Sequence, residues 1–545
     1  MVIKNSLIKD LFLQAINFQE KGNLLKAKSV YNKIIKINSK LPNAYYNLGN
    51  ILNALGEYEK AIHCYEKVIK IDPQNISAFN NLGVLYREIR EYQKAIYYFN
   101  QVIDINPNLV ISYLNLGYAF LGLEDLINAK LYFKKAIQLN PNNVDTHYSF
   151  MEFLEKSNDV RGLNKAIITA KKFIKNNPII IIFQTFLLFR KNRYLEAKSL
   201  LQSINIEKYN NISFDQKIKY YELLAKTYDQ INETKKSYKY FTKVNKYDSN
   251  KNTNKKYDKE KILNEIDSNL KYFVPKNILK WKKINLQINT DEFSPVFLVG
   301  FPRSGTTLLD SILRGHPLIE ILEEKPMIEK MNFYFHNSLK GKQHNLRNIT
   351  NVQIKKLRDI YFNIAKKYLL VDEKSNKIII DKLPLNIKDI GFIHRIFPKS
   401  KFIFVLRHPC DSVLSCFMNR FGMNNAMINF YTLFDTANFY NKIMLLWKQY
   451  ITVFPIHYSI IKYEDIIENL EKNVKPLISF IDLKWDKSLL KYTNTAKKRT
   501  FINTPSYNQV IKKIYKKSSG RWLRYEKEMA DVYPILMKWI KEFNY

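Results

Sequence analysis

One stretch carries the clearest chemistry in this chain. From position 295 the sequence runs through the apolar Val296-Phe297-Leu298-Val299, then Gly300-Phe301-Pro302-Arg303-Ser304-Gly305, then Thr306-Thr307-Leu308-Leu309. That order predicts a short buried strand, a glycine turn and a helix beginning near Thr306. A helix start offers backbone N–H groups and the positive end of a dipole, so it holds anions, and Gly300 and Gly305 let the backbone come close to one. We read the stretch as a phosphate cradle, in which Arg303 places a permanent planar cation. Four later segments read as apolar strands that end in polar residues: 319–322 before Glu323-Glu324, 377–380 before Asp381-Lys382, 401–406 before Arg407, and 456–461 before Lys462-Tyr463. In an open parallel α/β sheet, ligands bind beyond the carboxyl ends of the strands, so these residues are expected to converge on the edge that carries the cradle.

The spacing of Gly300 and Gly305 matches the nucleotide-binding pattern G-x-x-x-x-G-K-[ST], but Thr306 stands where the lysine should be, which argues against an ordinary nucleotide kinase or NTPase. The run Pro302-Arg303-Ser304-Gly305-Thr306-Thr307 resembles instead the 5′-phosphosulfate loop of sulfotransferases, closest in form to the tyrosylprotein sulfotransferases, and the likeness extends over about residues 295–545. This resemblance implies a sulfuryl donor, 3′-phosphoadenosine 5′-phosphosulfate (PAPS), and no metal. It implies Glu324 as the general base, Lys382 as the cation facing the bridging oxygen, and Arg303 as a catalytic and donor-binding cation; among the residues themselves, the neighbouring Glu323 competes as the base and His316 is a further alternative. Ser304, Gly305, Thr306 and Thr307 would complete the loop, Arg407 and Ser415 would bind the 3′-phosphate, and Tyr463 would lie beside the nucleotide. The segment Ser518-Ser519-Gly520-Arg521-Trp522 resembles the family's glycine-tryptophan loop over the donor, with Gly520 where a serine is usual, so that Ser518 and Ser519 both remain candidates. Two departures stand out: Asn419 replaces a further phosphate-binding arginine, and Pro326 replaces an arginine two residues past the base. The acceptor is therefore left as a hydroxyl of unassigned class, protein tyrosine, carbohydrate, lipid or small molecule. The alternative function is a repeat-based binding protein whose nucleotide site does not turn over.

The rest of the chain carries a different pattern. Asn-Leu-Gly recurs at 47–49, 81–83 and 115–117, prolines fall at 73, 107 and 141, and Ala27, Ala61, Ala95 and Ala129 are each followed four residues later by an aromatic residue. All three series step by 34, which resembles the tetratricopeptide repeat, a pair of helices stacked into a solenoid. We therefore expect a tetratricopeptide α-solenoid over 1–145, degenerate helical repeats over 146–250, a linker and helical connector over 251–294, and a three-layer P-loop-like α/β sulfotransferase domain with a parallel sheet over 295–545. The polar run from Asp248 to Lys256 reads as linker or exposed loop. The groove of such repeats commonly takes a peptide or protein partner.

Composition adds limits. The formal net charge of +37 over 545 residues favours anionic ligands without choosing among them, and we expect no nucleic-acid partner. Three unpaired cysteines, no clustered metal-ligand spacing, no secretory pattern in 1–22 and no apolar run of membrane length predict a cytoplasmic protein without a structural metal or a transmembrane segment.

Overall fold

The computed structural model describes residues 2–251, 257–281, 294–339, 341, 343–369, 377–493 and 519–545. It divides into two compact units, Met1–Lys256 and Tyr257–Tyr545.

In the first unit the described residues form successive helices from Val2–Glu20 to Thr234–Lys251. The Asn-Leu-Gly motifs lie in the first helix of each pair, and their glycines are where that helix meets an aromatic ring of the next one. A Cβ on Gly49, Gly83 or Gly117 would stand 2.7, 2.4 or 2.9 Å from the rings of Tyr65, Phe99 and Phe133. These rings are the aromatic residues of the repeat, all at most 1% exposed. Glycine and aromatic therefore form one interlocking contact, and the buried alanines at 27, 61, 95 and 129 hold the second helix close. Gly83→Ala is accordingly expected to destabilise the unit by about 1–2 kcal/mol, because overpacking outweighs the gain in helix propensity. Denaturant unfolding followed by circular dichroism measures it; a stabilised variant would mean that Phe99 can move aside.

The backbone keeps the 34-residue step where the side chains lose it. Gly22, Gly56, Arg90, Glu124, Asn158 and Asn192 all have positive φ, between 57° and 75°, at the turn between the two helices of a pair. Only two of these six are glycine, so the conformation is masked in the sequence. The helices Val160–Phe173 and Tyr194–Gln202 start in the same register. One expectation is corrected here: the polar run at Asp248 opens as helix, since Thr234–Lys251 continues through it and Asp248 is buried. Residues 252–256 of that run lie outside the described residues.

The second unit is built on five parallel strands, β1 (Val296–Gly300), β2 (Ile319–Glu323), β3 (Ile378–Lys382), β4 (Lys401–Leu406) and β5 (His457–Lys462), in the order β2-β3-β1-β4-β5. Central β1 is buried at every position, as a strand covered on both faces must be. On one face Leu298, Ile321, Ile380 and Val405 pack with Leu309 and Ile312 of the helix Thr306–Leu313 and with Leu477 of Leu470–Phe480. On the other face Phe297 meets Tyr361 and Phe397, and Phe404 lies 4.2 Å from Trp447 of the helix Leu433–Val453. The result is a three-layer α/β domain. All five strands run the same way, so their carboxyl ends share one edge, and the chain changes direction across the sheet at β1, whose neighbours are β3 and β4.

Candidate active site

The turn after β1 is shaped by two residues with left-handed backbone, Arg303 at φ +69° and Gly305 at φ +104°. It hands the chain to the helix Thr306–Leu313 at Thr306, the residue expected to open it. Glycine is required twice. A Cβ on Gly300 would come within 2.7 Å of the Val405 carbonyl and 2.8 Å of Ser304 Oγ, and one on Gly305 within 2.7 Å of the Tyr463 ring. The Ser304 hydroxyl is buried and has no hydrogen-bond partner, a state that is costly unless a ligand supplies one. Thr306 and Thr307 are buried in the first helical turn.

The helix Pro409–Phe417, which follows β4, is stitched to this turn. Arg303 Nε donates to Ser415 Oγ at 3.1 Å, Arg407 Nη1 donates to the Arg303 carbonyl at 3.3 Å, and Cys416 Sγ donates to the Pro302 carbonyl at 3.2 Å. The Arg407 guanidinium also lies 5.1 Å from the Tyr463 ring. Arg303, Gly305, Arg407, Ser415 and Tyr463 thus form one continuous set of contacts at the strand ends.

The ends of β2 and β3 form the second half. Glu323 pairs in register with Lys382, and Lys382 Nζ, fully buried, donates to Glu323 Oε1 and Glu324 Oε1, each at 3.1 Å. Burial pulls the Lys382 ammonium down, but Glu323, Glu324 and Asp310 outweigh it and push it up to about 12, so it stays charged. Asp310 belongs to the helix that starts at the cradle, which ties this cluster to the turn. Glu324 sits at φ +50°, with its N–H donating to the Lys382 carbonyl at 2.8 Å. For a non-glycine residue that conformation costs about 1–2 kcal/mol, and it lifts the Glu324 side chain out of the strand's alternation.

The carboxyl-terminal loop arrives from the other side. Asp411 Oδ2 accepts from Gly520 N at 2.8 Å and Asp411 Oδ1 from Trp522 N at 2.9 Å. Trp522 stacks with His408 at 5.0 Å and with Tyr533 at 5.7 Å. Ser519 and Arg521 are partly buried beside them, while Ser518 lies outside the described residues. Three further positions have defined places here. His316 accepts from Leu318 N at Nδ1, within its own turn, and meets the distant Lys484 carbonyl at Nε2, so both ring nitrogens have partners. Asn419 bonds back to the Ser415 carbonyl at 2.7 Å. Pro326 caps the helix Met327–Asn337.

Residues 295–487 match the family described as the sulfotransferase family, and 42–75, 76–109 and 110–143 match the tetratricopeptide repeat. The chain joins tetratricopeptide repeats to a sulfotransferase domain. Among curated proteins it is similar to an uncharacterized protein of Aquifex aeolicus (28% identity over 263 residues, 46% of this chain and 33% of that one). It is also similar to the protein-tyrosine sulfotransferase of Drosophila melanogaster (23% over 270 residues, 45% and 51%) and to protein-tyrosine sulfotransferase 2 of Gallus gallus (22% over 262 residues, 45% and 69%). The chain thus spans one third and about half of the first two of these relatives.

Two positions in the sulfotransferase domain carry more than sequence reasoning gave them. Asp411 holds a loop more than one hundred residues away, and Glu323 shares Lys382 with Glu324. The available signal was only that Glu323 and Lys382 each end a predicted strand; that these strands are neighbours comes from the sheet order. Among the described residues no group of three or more His, Cys, Asp or Glu could hold a metal ion, and no helix is long and apolar enough to cross a membrane.

Proposed function

We propose that this protein transfers a sulfuryl group from PAPS to an acceptor hydroxyl, with a peptide tyrosine the first acceptor class to test. The observation that carries this reading is the Arg303–Ser415 hydrogen bond, 3.1 Å across 112 positions. It joins the turn after β1 to the helix Pro409–Phe417 after β4, beside Arg407 at the end of β4, an arrangement that supports a ligand with one anionic group at each end of a nucleoside. The unpartnered Ser304 hydroxyl and the glycine-lined turn fit the phosphosulfate end, and Arg407 with Ser415 fits the 3′-phosphate. The names of the Drosophila and Gallus relatives support tyrosine as the acceptor.

When bound, PAPS supplies an activated sulfuryl group, and adenosine 3′,5′-bisphosphate is the other product. Glu324 takes the acceptor hydroxyl's proton at its carboxylate as the oxygen forms its bond to sulfur. Lys382 and Arg303 hold positive charge on the phosphate side, where the departing oxygen gains charge as its bond to sulfur breaks. Glu323 keeps Lys382 in place, and the tetratricopeptide unit presents a peptide or protein partner. The test is incubation of the full chain with donor labelled on sulfur and, separately, a tyrosine peptide, an oligosaccharide and a small phenol. Label on one acceptor with equal release of the bisphosphate supports the reading; donor left intact in every case contradicts it.

A further inference from the structure

We propose that Asp411 is a positioning residue of the donor site, a latch that fastens the Gly520–Trp522 loop to the helix carrying Ser415. The inference rests on the donor assignment above. Asp411 is 1% exposed and each carboxylate oxygen has a partner: Oδ2 accepts from Gly520 N at 2.8 Å, Oδ1 accepts from Trp522 N at 2.9 Å, and Arg407 Nη2 lies 3.8 Å from Oδ2. Hydrogen bonds from backbone N–H groups to a buried carboxylate are the strong kind. Gly520, at φ +70°, turns the chain so that its own N–H and that of Trp522 meet the same carboxylate.

The contacts run both ways. Asp411 lies one helical turn before Ser415 in Pro409–Phe417, and Arg407 stands just ahead of the start of that helix, so the groups that would hold the 3′-phosphate flank the residue that holds the loop. Beside the latch, Trp522 stacks on His408, whose backbone N–H donates to Glu464 Oε1 at 3.0 Å, and Glu464 Oε2 accepts from Tyr545 at 3.0 Å. Glu464 follows Tyr463, which packs on Gly305 and under Arg407. The loop is thus tied to Arg407 through Asp411, and through this aromatic stack to Tyr463 and the turn after β1. Without the latch, donor binding must itself order the loop, so affinity falls while the sheet stays folded.

The test compares the full chain with Asp411→Asn, which keeps the side-chain volume but can accept only one of the two N–H bonds cleanly, and with Asp411→Glu, which restores both. Affinity for adenosine 3′,5′-bisphosphate is measured by calorimetry, and amide hydrogen exchange is followed over 519–525 and over β1. The expected result is an affinity for Asp411→Asn weaker by about tenfold or more, faster exchange over 519–525 with β1 unchanged, and partial recovery in Asp411→Glu. Unchanged affinity in Asp411→Asn, with the wild type binding, overturns the latch alone. Equal loss of protection in β1 makes Asp411 a plain structural residue and also overturns it. A wild type that does not bind the bisphosphate overturns the donor reading beneath it.

Discussion

Glu324→Gln is expected to lower the rate of transfer by about 10²–10⁴-fold, the usual contribution of a positioned base, with donor affinity nearly unchanged. Glutamine keeps the shape and can still accept from Lys382 Nζ, now 3.1 Å away, so the variant tests the proton rather than the packing. The neighbouring carboxylate provides the control. Both glutamates bind Lys382, but the Glu323 side chain is 12% exposed and that of Glu324 is 32% exposed, so Glu324 is the one an acceptor can reach. Single-turnover transfer with whichever acceptor takes label from the sulfur-labelled donor should therefore fall far more in Glu324→Gln than in Glu323→Gln. The reverse order would move the base to Glu323.

Lys382→Ala is expected to cost about 10²–10³-fold in rate, the loss seen when one preorganised donor to a developing oxyanion is removed. It should also destabilise the domain, because two carboxylates lose the buried cation between them; breaking a buried pair typically costs about 3–5 kcal/mol. The two effects separate in one double variant. Adding Glu323→Gln to Lys382→Ala removes part of the repulsion and should recover much of the stability, read by thermal unfolding, without recovering the rate. If rate and stability recover together, Lys382 acts only by holding the strand ends.

The repeats and the cradle were legible for different reasons. Asn-Leu-Gly, the prolines and the alanine-aromatic pairs gave a 34-residue step because each letter fills one contact: Gly83 against Phe99 admits no other small residue comfortably. Beyond Asn143 the next steps of these series carry Met151, Leu163, Ile167 and Lys175 in place of glycine, alanine, aromatic and proline, and the step becomes invisible although the backbone repeats it at Asn158 and Asn192. Asp248 misled for a similar reason, since a lysine- and asparagine-rich segment reads as linker whether it ends a helix or follows one. In the second unit, short β-branched and aromatic runs ending in Glu324, Lys382, Arg407 and Tyr463 marked the strands, and the parallel rule placed their ends together. What no spacing showed was pairing across long gaps. The Arg303–Ser415 bond and the shared Lys382 depend on the strand order β2-β3-β1-β4-β5, which brings β4 beside β1 and β3 beside β2, and the Asp411 contacts depend on the return of the carboxyl-terminal loop to the helix after β4.

The donor assignment is tested most directly by calorimetric titration of the full chain with adenosine 3′,5′-bisphosphate, alongside ATP with magnesium, repeated on Arg407→Ala. Binding that prefers the bisphosphate and weakens by about tenfold or more in Arg407→Ala, as loss of a charge-assisted contact demands, is the expected result. No binding of the bisphosphate, or a preference for magnesium ATP, would contradict the assignment of this site to a sulfuryl donor.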